Sequence, residues 1–316
     1  MNRLLVRYGI WLLAALLAMG FVLLGSSLDF DYVIPKRLNR LAAMIIAGVC
    51  VAYASVIFQT IAGNRILTPA IMGYEAVYLL FQALLILLLG TQSLVLLGRH
   101  ANVALSIALM LGYSWWLHRW LQRDGRNNVY LLLLLGLVLS MVMTTVTQFI
   151  QLKISPGEFS ILQGFNYASF NKAQPTQVLY SGLLTGAVCL VIQRLLPTLD
   201  VLALGRDQAQ SLGIDYLASV RLQLALIAVL VALSTSLVGP TAFMGVFVAN
   251  ISYALARTAR HRVTLPMASA IAIILFIVSQ YLVEQLFNYN TSVSILINLV
   301  CGLYFLTLMV RTRGTA

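Results

Sequence analysis

The sequence predicts an all-α, polytopic membrane protein of about ten transmembrane helices, built as one membrane domain over residues 1–316. Three observations carry this. Of 316 residues, 61% are hydrophobic and 9% charged, where a soluble globular domain carries roughly 25% charged residues. That deficit leaves too little polar surface to wet a folded body, and surrounding lipid removes the need for one. The apolar runs are long, closely spaced and spread from end to end. The basic residues fall between the runs rather than in a patch with interleaved aromatics, so the formal net charge of +11 reads as membrane topology and argues against nucleic acid as a partner.

A span needs about 20 apolar residues at a rise of about 1.5 Å. In chain order the candidates are 4–25, 38–60, 70–90, 93–117, 129–150, 175–195, 218–238, 241–257, 266–287 and 291–310. The first run, Tyr8 to Leu24, follows Arg3 and Arg7 and precedes Gly25-Ser26-Ser27, the outline of a secretory signal. It exceeds the usual apolar region of roughly 7–15 residues, and further spans follow, so it reads as an uncleaved first helix. Only Gly90-Thr91-Gln92 separates the third run from the fourth, and Gly239-Pro240, a stop-and-turn pair, separates the seventh from the eighth.

An even number of spans puts both termini on one side. With that side as the cytoplasm, the inner segments hold Arg3, Arg7, Arg65, Arg119, Arg123, Arg126, Arg194, Arg206, Arg221, Arg257, Arg260, Arg262, Arg311 and Arg313. Lys36, Arg37, Arg40, Arg99, Lys153 and Lys172 are left outside. The inward excess of positive charge predicts cytoplasmic termini. Spans two to five and seven to ten enter from opposite sides, compatible with an inverted repeat.

Two connections are long. The outer one, about 153–175, contains the turn Ser155-Pro156-Gly157 and then Glu158 to Gln163, enough for one or two helical turns. The inner one, about 196–217, contains Leu204-Gly205-Arg206-Asp207 and runs on through Ala209 to Leu212-Gly213. Gly205 and Gly213 bracket a short helix with Asp207 in its first turn, where the helix dipole favours an anion. Ala209 and Leu212, three apart, are expected to share its apolar face.

Chemistry is sparse. Cys50, Cys189 and Cys301 each lie in an apolar run without CxxC spacing, and His100, His118 and His261 are scattered, so neither a metal site nor a disulfide framework is expected. The lysines follow Pro35, Leu152 and Asn171, never a glycine, which excludes a P-loop. No nucleophile–base constellation assembles, so the chain reads as a non-enzyme without a cofactor of its own. Glu75 and Glu284 are the candidate intramembrane carboxylates. They would matter to an ion-coupled secondary transporter, the alternative function, and are otherwise interfacial. Ser140, Thr144 and Gln148 recur every four residues and stack on one helix face. Such a stripe lines a wet path or hydrogen-bonds neighbouring helices, and the residues alone leave both open. Gly182 and Gly186 form a GxxxG pair suited to close helix packing.

Several segments resemble one family. Leu202-Ala203-Leu204-Gly205, then Ala209, then Leu212-Gly213 is similar to the L-A-L-G-x-x-x-A-x-x-L-G signature of the iron-chelate and cobalamin permeases of bacterial ABC importers, the FecCD-like family. Gly239 to Gly245 (GPTAFMG) resembles its G-x-I-x-F-x-G element, Arg37 to Leu41 its R-L-P-R element, and Asn64 to Gly73 (NRILTPAIMG) its N-P-L-A-x-P-x-x-L-G loop. The matches keep family order and spacing over nearly the whole chain. Two departures stand out: Ala249-Asn250 replaces the usual Pro-His, and the proline after Asn64 is missing. Both are associated with the branch that carries ferric catecholates and related siderophores.

The resemblance implies a type II ABC importer permease in the bacterial inner (plasma) membrane, moving a ferric siderophore by alternating access. It implies a pair of cytoplasmic ATPases, a second permease chain, identical or related, and a periplasmic or lipid-anchored siderophore-binding protein. Leu204, Gly205, Arg206, Asp207, Ala209, Leu212 and Gly213 would form the loop that docks on the ATPase. Lys36, Arg37 and Arg40 would dock the binding protein, where without the resemblance they read as headgroup anchors. Ser140, Thr144 and Gln148 would line the path.

Overall fold

The computed structural model describes residues 3–23, 30–90, 98–123, 129–241 and 243–313. Among the described residues the structure is helical throughout. The helices are α1 (Arg3–Leu23), α2 (Val33–Ala62), α3 (Tyr74–Leu89), α4 (Arg99–Arg123), α5 (Val129–Gln151), α6 (Pro156–Asn166), α7 (Pro175–Arg194), α8 (Leu196–Leu202), α9 (Arg206–Ser211), α10 (Tyr216–Leu237), α11 (Met244–Ala256), α12 (His261–Gln285) and α13 (Val293–Arg313), with single 3₁₀ turns at Pro69–Met72 and Phe170–Lys172. Each predicted span coincides with a helix. Six of them, α1, α2, α5, α7, α10 and α12, are long and apolar enough to cross a membrane. Arg126, one of the arginines assigned to the inner side, lies outside the described residues.

The core forms around α2. This helix is rich in small residues, and Ala43, Ala47, Cys50, Ala52 and Ala54 are all buried. Small side chains let backbones approach, which is how helices associate when lipid supplies no hydrophobic drive between them. At Gly48 the approach is close: a Cβ there would lie 3.0 Å from the Ile273 side chain and 3.2 Å from its backbone nitrogen. The α12 and α10 helices complete this centre. By contrast α1, α5 and α7 are mostly exposed and apolar, as lipid- or partner-facing helices must be. Of the GxxxG pair, Gly182 packs on Ile46 of α2, whereas Gly186 is exposed with open space where a Cβ would go.

The helix after Ser155 is longer than expected, running Pro156–Asn166, because Ser155 and Glu158 build a capping box: the Ser155 N–H donates to Glu158 Oε2 at 2.8 Å, and the Glu158 N–H donates to Ser155 Oγ at 3.4 Å. This outer segment is stitched down. The Ser169 N–H donates to Val238 O at 2.8 Å, the Ala168 N–H to Ser294 Oγ, and Asn39 Nδ2 to Ala173 O at 2.7 Å.

Two chain breaks that a linear topology puts on opposite sides of the membrane meet inside the molecule. One is the 63–73 segment between α2 and α3; the other is the 238–241 stretch that follows α10. The Thr241 N–H donates to Glu75 Oε1 at 3.1 Å. The short helices explain the meeting. With 16 and 13 residues, α3 and α11 are about 24 Å and 20 Å long, less than the roughly 30 Å hydrocarbon core. Glu75 lies in the first turn of α3, where the helix dipole favours an anion, and takes its cross-link from Thr241, three residues ahead of α11.

Candidate functional site

The inner connection carries the candidate coupling residues. The α8 helix buries Leu199 and Leu202 against the core. The chain then turns through Gly205, whose φ of +99° sits in the region glycine favours, and enters α9. The α9 helix buries Ala209 completely and ends in a Schellman motif: the Ile214 N–H donates to Ala209 O at 3.0 Å and the Gly213 N–H to Gln210 O at 2.9 Å, with Gly213 at φ +82°. Asp215 then caps α10, accepting from the Ala218 N–H at 3.0 Å. The bracketed helix is therefore present, with one correction. Ala209 and Leu212 do not share an environment: Leu212 follows the last turn and is 62% exposed, as Leu204 is 56% exposed on the other flank. Two leucines stand out from a loop whose other exposed residues include Arg206, Asp207, Gln208 and Gln210.

The outer basic residues divide. Lys36 is exposed, its Nζ 5.4 Å from the centre of the Tyr32 ring. Arg37 donates to Phe21 O at 2.8 Å and lies over the Phe21 ring at 5.8 Å, tying α2 to α1. Arg40 turns inward. Its Nη1 donates to Glu284 Oε1 at 2.9 Å, and that oxygen also accepts from Gln280 Nε2 at 2.7 Å. The Arg40 and Glu284 side chains are only 15% and 6% exposed. Grouping Arg40 with Lys36 from spacing alone misses this, because its partner lies 244 residues away in sequence.

Along α5 the stripe is split as well. Ser140 is half-buried and lies against Gly73: a Cβ on Gly73 would fall 3.2 Å from Ser140 Cβ. One turn earlier Gly136 packs on the 3₁₀ turn, where a Cβ would meet Met72 Cα at 3.0 Å. Thr144 and Gln148 are exposed, and Thr144 Oγ1 donates to Ser140 O at 2.8 Å. They share the exposed side of α5 with Met141, Val142 and Phe149. A separate cavity of about 400 Å³ lies between α6, the 167–172 segment and the end of α10, lined by Tyr78, Asn102, Lys172, Gln177 and Ser236.

Both candidate carboxylates are committed inside the chain, Glu75 to Thr241 and Glu284 to Arg40 and Gln280. At the junction beside Glu75, Gly245 faces Ser55 and Thr68. A Cβ there would collide with the Ser55 hydroxyl and reach 3.1 Å from the Thr68 methyl. The replacements at Ala249 and Asn250 are also accommodated. Ala249 is fully buried in α11, and Asn250 Nδ2 donates to Arg65 O at 2.9 Å, the carbonyl that also accepts from Gln59 Nε2 at 2.7 Å. Asn64 Oδ1 accepts from the Ile66 N–H at 2.9 Å, so an Asx turn shapes the loop where the proline is missing.

Comparison with known proteins gives a consistent picture. The profile of the FecCD transport family matches residues 8–311. The chain is 35% identical over 301 residues to the petrobactin import system permease protein YclO of Bacillus subtilis, covering 94% of each. It is 34% identical to the petrobactin import system permease protein FatC of Bacillus anthracis, covering 92% of this chain and 82% of that one. The ferric enterobactin transport system permease protein FepD of Escherichia coli is 28% identical, with 77% and 71% covered. Among solved structures, a metal-chelate type ABC transporter in an inward-facing conformation superposes with a TM-score of 0.85 at 19% identity, over 98% of this chain and 99% of that one.

Proposed function

Because the chain belongs to the FecCD transport family and is the membrane-spanning permease of a bacterial ABC importer, we propose that its cargo is a ferric siderophore, moved by alternating access without any bond being made in this chain. Such a permease is a multi-pass plasma-membrane protein that works with an ATPase and a substrate-binding protein. The observation that carries the cargo is the identity to two petrobactin permeases over more than nine-tenths of this chain. A catecholate-type chelate is the finer reading, motivated by Asn250 and by the loop after Asn64.

In this scheme both termini are cytoplasmic and the α8–α9 loop faces the ATPase dimer. Leu204 and Leu212 supply the apolar contact, Arg206 and Asp207 the polar rim, and Gly205, Ala209 and Gly213 shape the loop. On the outer side Lys36 supplies the exposed docking charge for the binding protein, while Arg37 and Arg40 hold the base of that surface in place. The exposed face of α5, with Thr144 and Gln148, meets a second permease chain, and the path runs between the two; Ser140 sets its inner edge. An ion-coupled mechanism has nothing comparable behind it, since Glu75 and Glu284 are spent on internal hydrogen bonds.

The test is uptake of ⁵⁵Fe chelates into proteoliposomes holding the permease pair, its ATPase and its binding protein. Ferric petrobactin should enter only with ATP inside the ATPase-accessible compartment, and faster than a ferric hydroxamate. Uptake that survives ATP depletion but stops with a protonophore would refute the reading.

A further inference from the structure

The loop that carries Leu204 and Leu212 is fastened to the helical core by a polar chain that the transport reading does not use. Asp200 is on α8, 39% exposed at its side chain; His261, the first residue of α12, is 2% exposed. One carboxylate oxygen, Asp200 Oδ1, accepts from the His261 backbone N–H at 2.9 Å and contacts the ring Nδ1 at 2.6 Å. The same oxygen thus caps α12 from another element, at the N-terminus where an orphan N–H needs an acceptor. The other ring nitrogen, Nε2, is 2.7 Å from Thr60 Oγ1 in the last turn of α2, and that hydroxyl is 2.9 Å from Val56 O. Close by, the Arg65 guanidinium lies over the ring of Tyr253 on α11 at 4.9 Å. Arg65 belongs to the 63–73 segment that runs into the central junction.

We propose that Asp200 and His261 are positioning residues that pass movement of the α8–α9 loop to α2 and α12. This rests on the ABC-importer reading. Three physical points support it. A buried imidazole costs desolvation unless both nitrogens are satisfied, and here both are, by different elements. An apolar residue would pack at this position without that cost, so the polar link serves a connection. The link closes whether the ring is neutral or charged, because the Thr60 hydroxyl either accepts from Nε2–H while donating to Val56 O, or donates to bare Nε2. Two bonds share one oxygen, so displacing α8 from α12 breaks both together.

The test uses the complete complex in proteoliposomes, with ferric petrobactin as cargo, and compares Asp200→Ala, Asp200→Asn and Thr60→Val with the unmutated chain. The readouts are ATPase copurification, stimulation of ATPase by loaded binding protein, and cargo moved per ATP. Asp200→Ala should keep stoichiometric ATPase but lose at least fivefold in stimulation and in cargo per ATP. Asp200→Asn, which keeps an acceptor oxygen, should recover at least half, and Thr60→Val should fall between. Unchanged coupling in Asp200→Ala sinks the proposal while leaving the transport reading intact. Loss of ATPase copurification in all three variants also overturns it, by making the contact one of folding alone. If the unmutated complex shows no ATP-driven uptake, the transport reading fails and the clasp falls with it.

Discussion

The central junction and the α8–α9 loop are both glycine-punctuated breaks between helices, yet they use their residues in opposite ways. At the junction the contacts turn inward: Thr241 donates to Glu75, Asn250 and Gln59 share Arg65 O, and Gly245 is a glycine because Ser55 and Thr68 occupy the space of its Cβ. In the loop the backbone is equally well satisfied, but Leu204 and Leu212 are left standing out. Glycine there answers a demand for positive φ, not for room. A break that closes on itself is a structural joint; one that leaves its apolar side chains exposed fits the ATPase contact proposed for this loop.

The largest effect should come from filling the junction. Gly245→Val puts two methyls where Ser55 and Thr68 already sit, at the upper end of overpacking costs, about 3 kcal/mol. The detergent-solubilised permease should lose more than about 5 °C of Tm, and a Ser55→Gly partner change should return part of it. An unshifted Tm would mean the two breaks do not pack as described. The loop should show the converse. Leu212→Asp should leave Tm alone, as exposed substitutions do, yet remove an apolar anchor worth about 1.5–3 kcal/mol. That weakens ATPase binding by about tenfold or more, read by titrating purified ATPase onto the permease in nanodiscs. Equal binding by wild type and variant would take Leu212 out of the interface.

A smaller contrast separates the outer basic residues. Arg40→Gln leaves the Glu284 carboxylate, 6% exposed, without its cation and with only the Gln280 amide of the two donors, and should cost about 1–3 kcal/mol of stability. Lys36→Glu should change stability by less than about 0.5 kcal/mol while weakening capture of the binding protein in a salt-dependent way. If Arg40→Gln proved thermally silent and Lys36→Glu destabilising, the division between inward and outward cations would be reversed.

How much of this is legible in the sequence follows from what each feature depends on. Helix positions come from local runs of apolar residues, and each predicted span meets a helix. The glycines at 205 and 213 announce α9 because a stop signal is local. Ser155 with Glu158 at the third position also holds the capping box, a local signal that a reading of turn plus short helix passes over. Arg40, Thr241 and His261 are beyond such reasoning, since their partners lie 244, 166 and 61 residues away. The meeting of the two breaks is also hidden. Hydropathy assigns every gap to a membrane surface, and only the shortness of α3 and α11 hints that their starts lie inside. For the α5 stripe, periodicity gives the face, but separating Ser140 from Thr144 and Gln148 requires knowing that Gly73 sits against it.

The smallest predicted effect tests the loop's glycine logic most directly. At Gly213 no atom lies within 4 Å of the point where a Cβ would stand, so Gly213→Ala meets no clash. Its cost is conformational, the roughly 1–2 kcal/mol that an alanine loses in the left-handed region. Asparagine tolerates that region better, so Gly213→Asn should retain more of the Schellman motif. Hydrogen exchange at the Gly213 and Ile214 amides should therefore rise about five- to thirtyfold in the alanine variant and less in the asparagine variant, with Tm falling by no more than about 4 °C in either. At Gly205 the added Cβ would also lie 3.2 Å from Gln208 Oε1, so Gly205→Ala should disturb the loop somewhat more than Gly213→Ala. The reverse order would mean that the Gln208 contact adds nothing and that backbone conformation alone selects glycine in this loop.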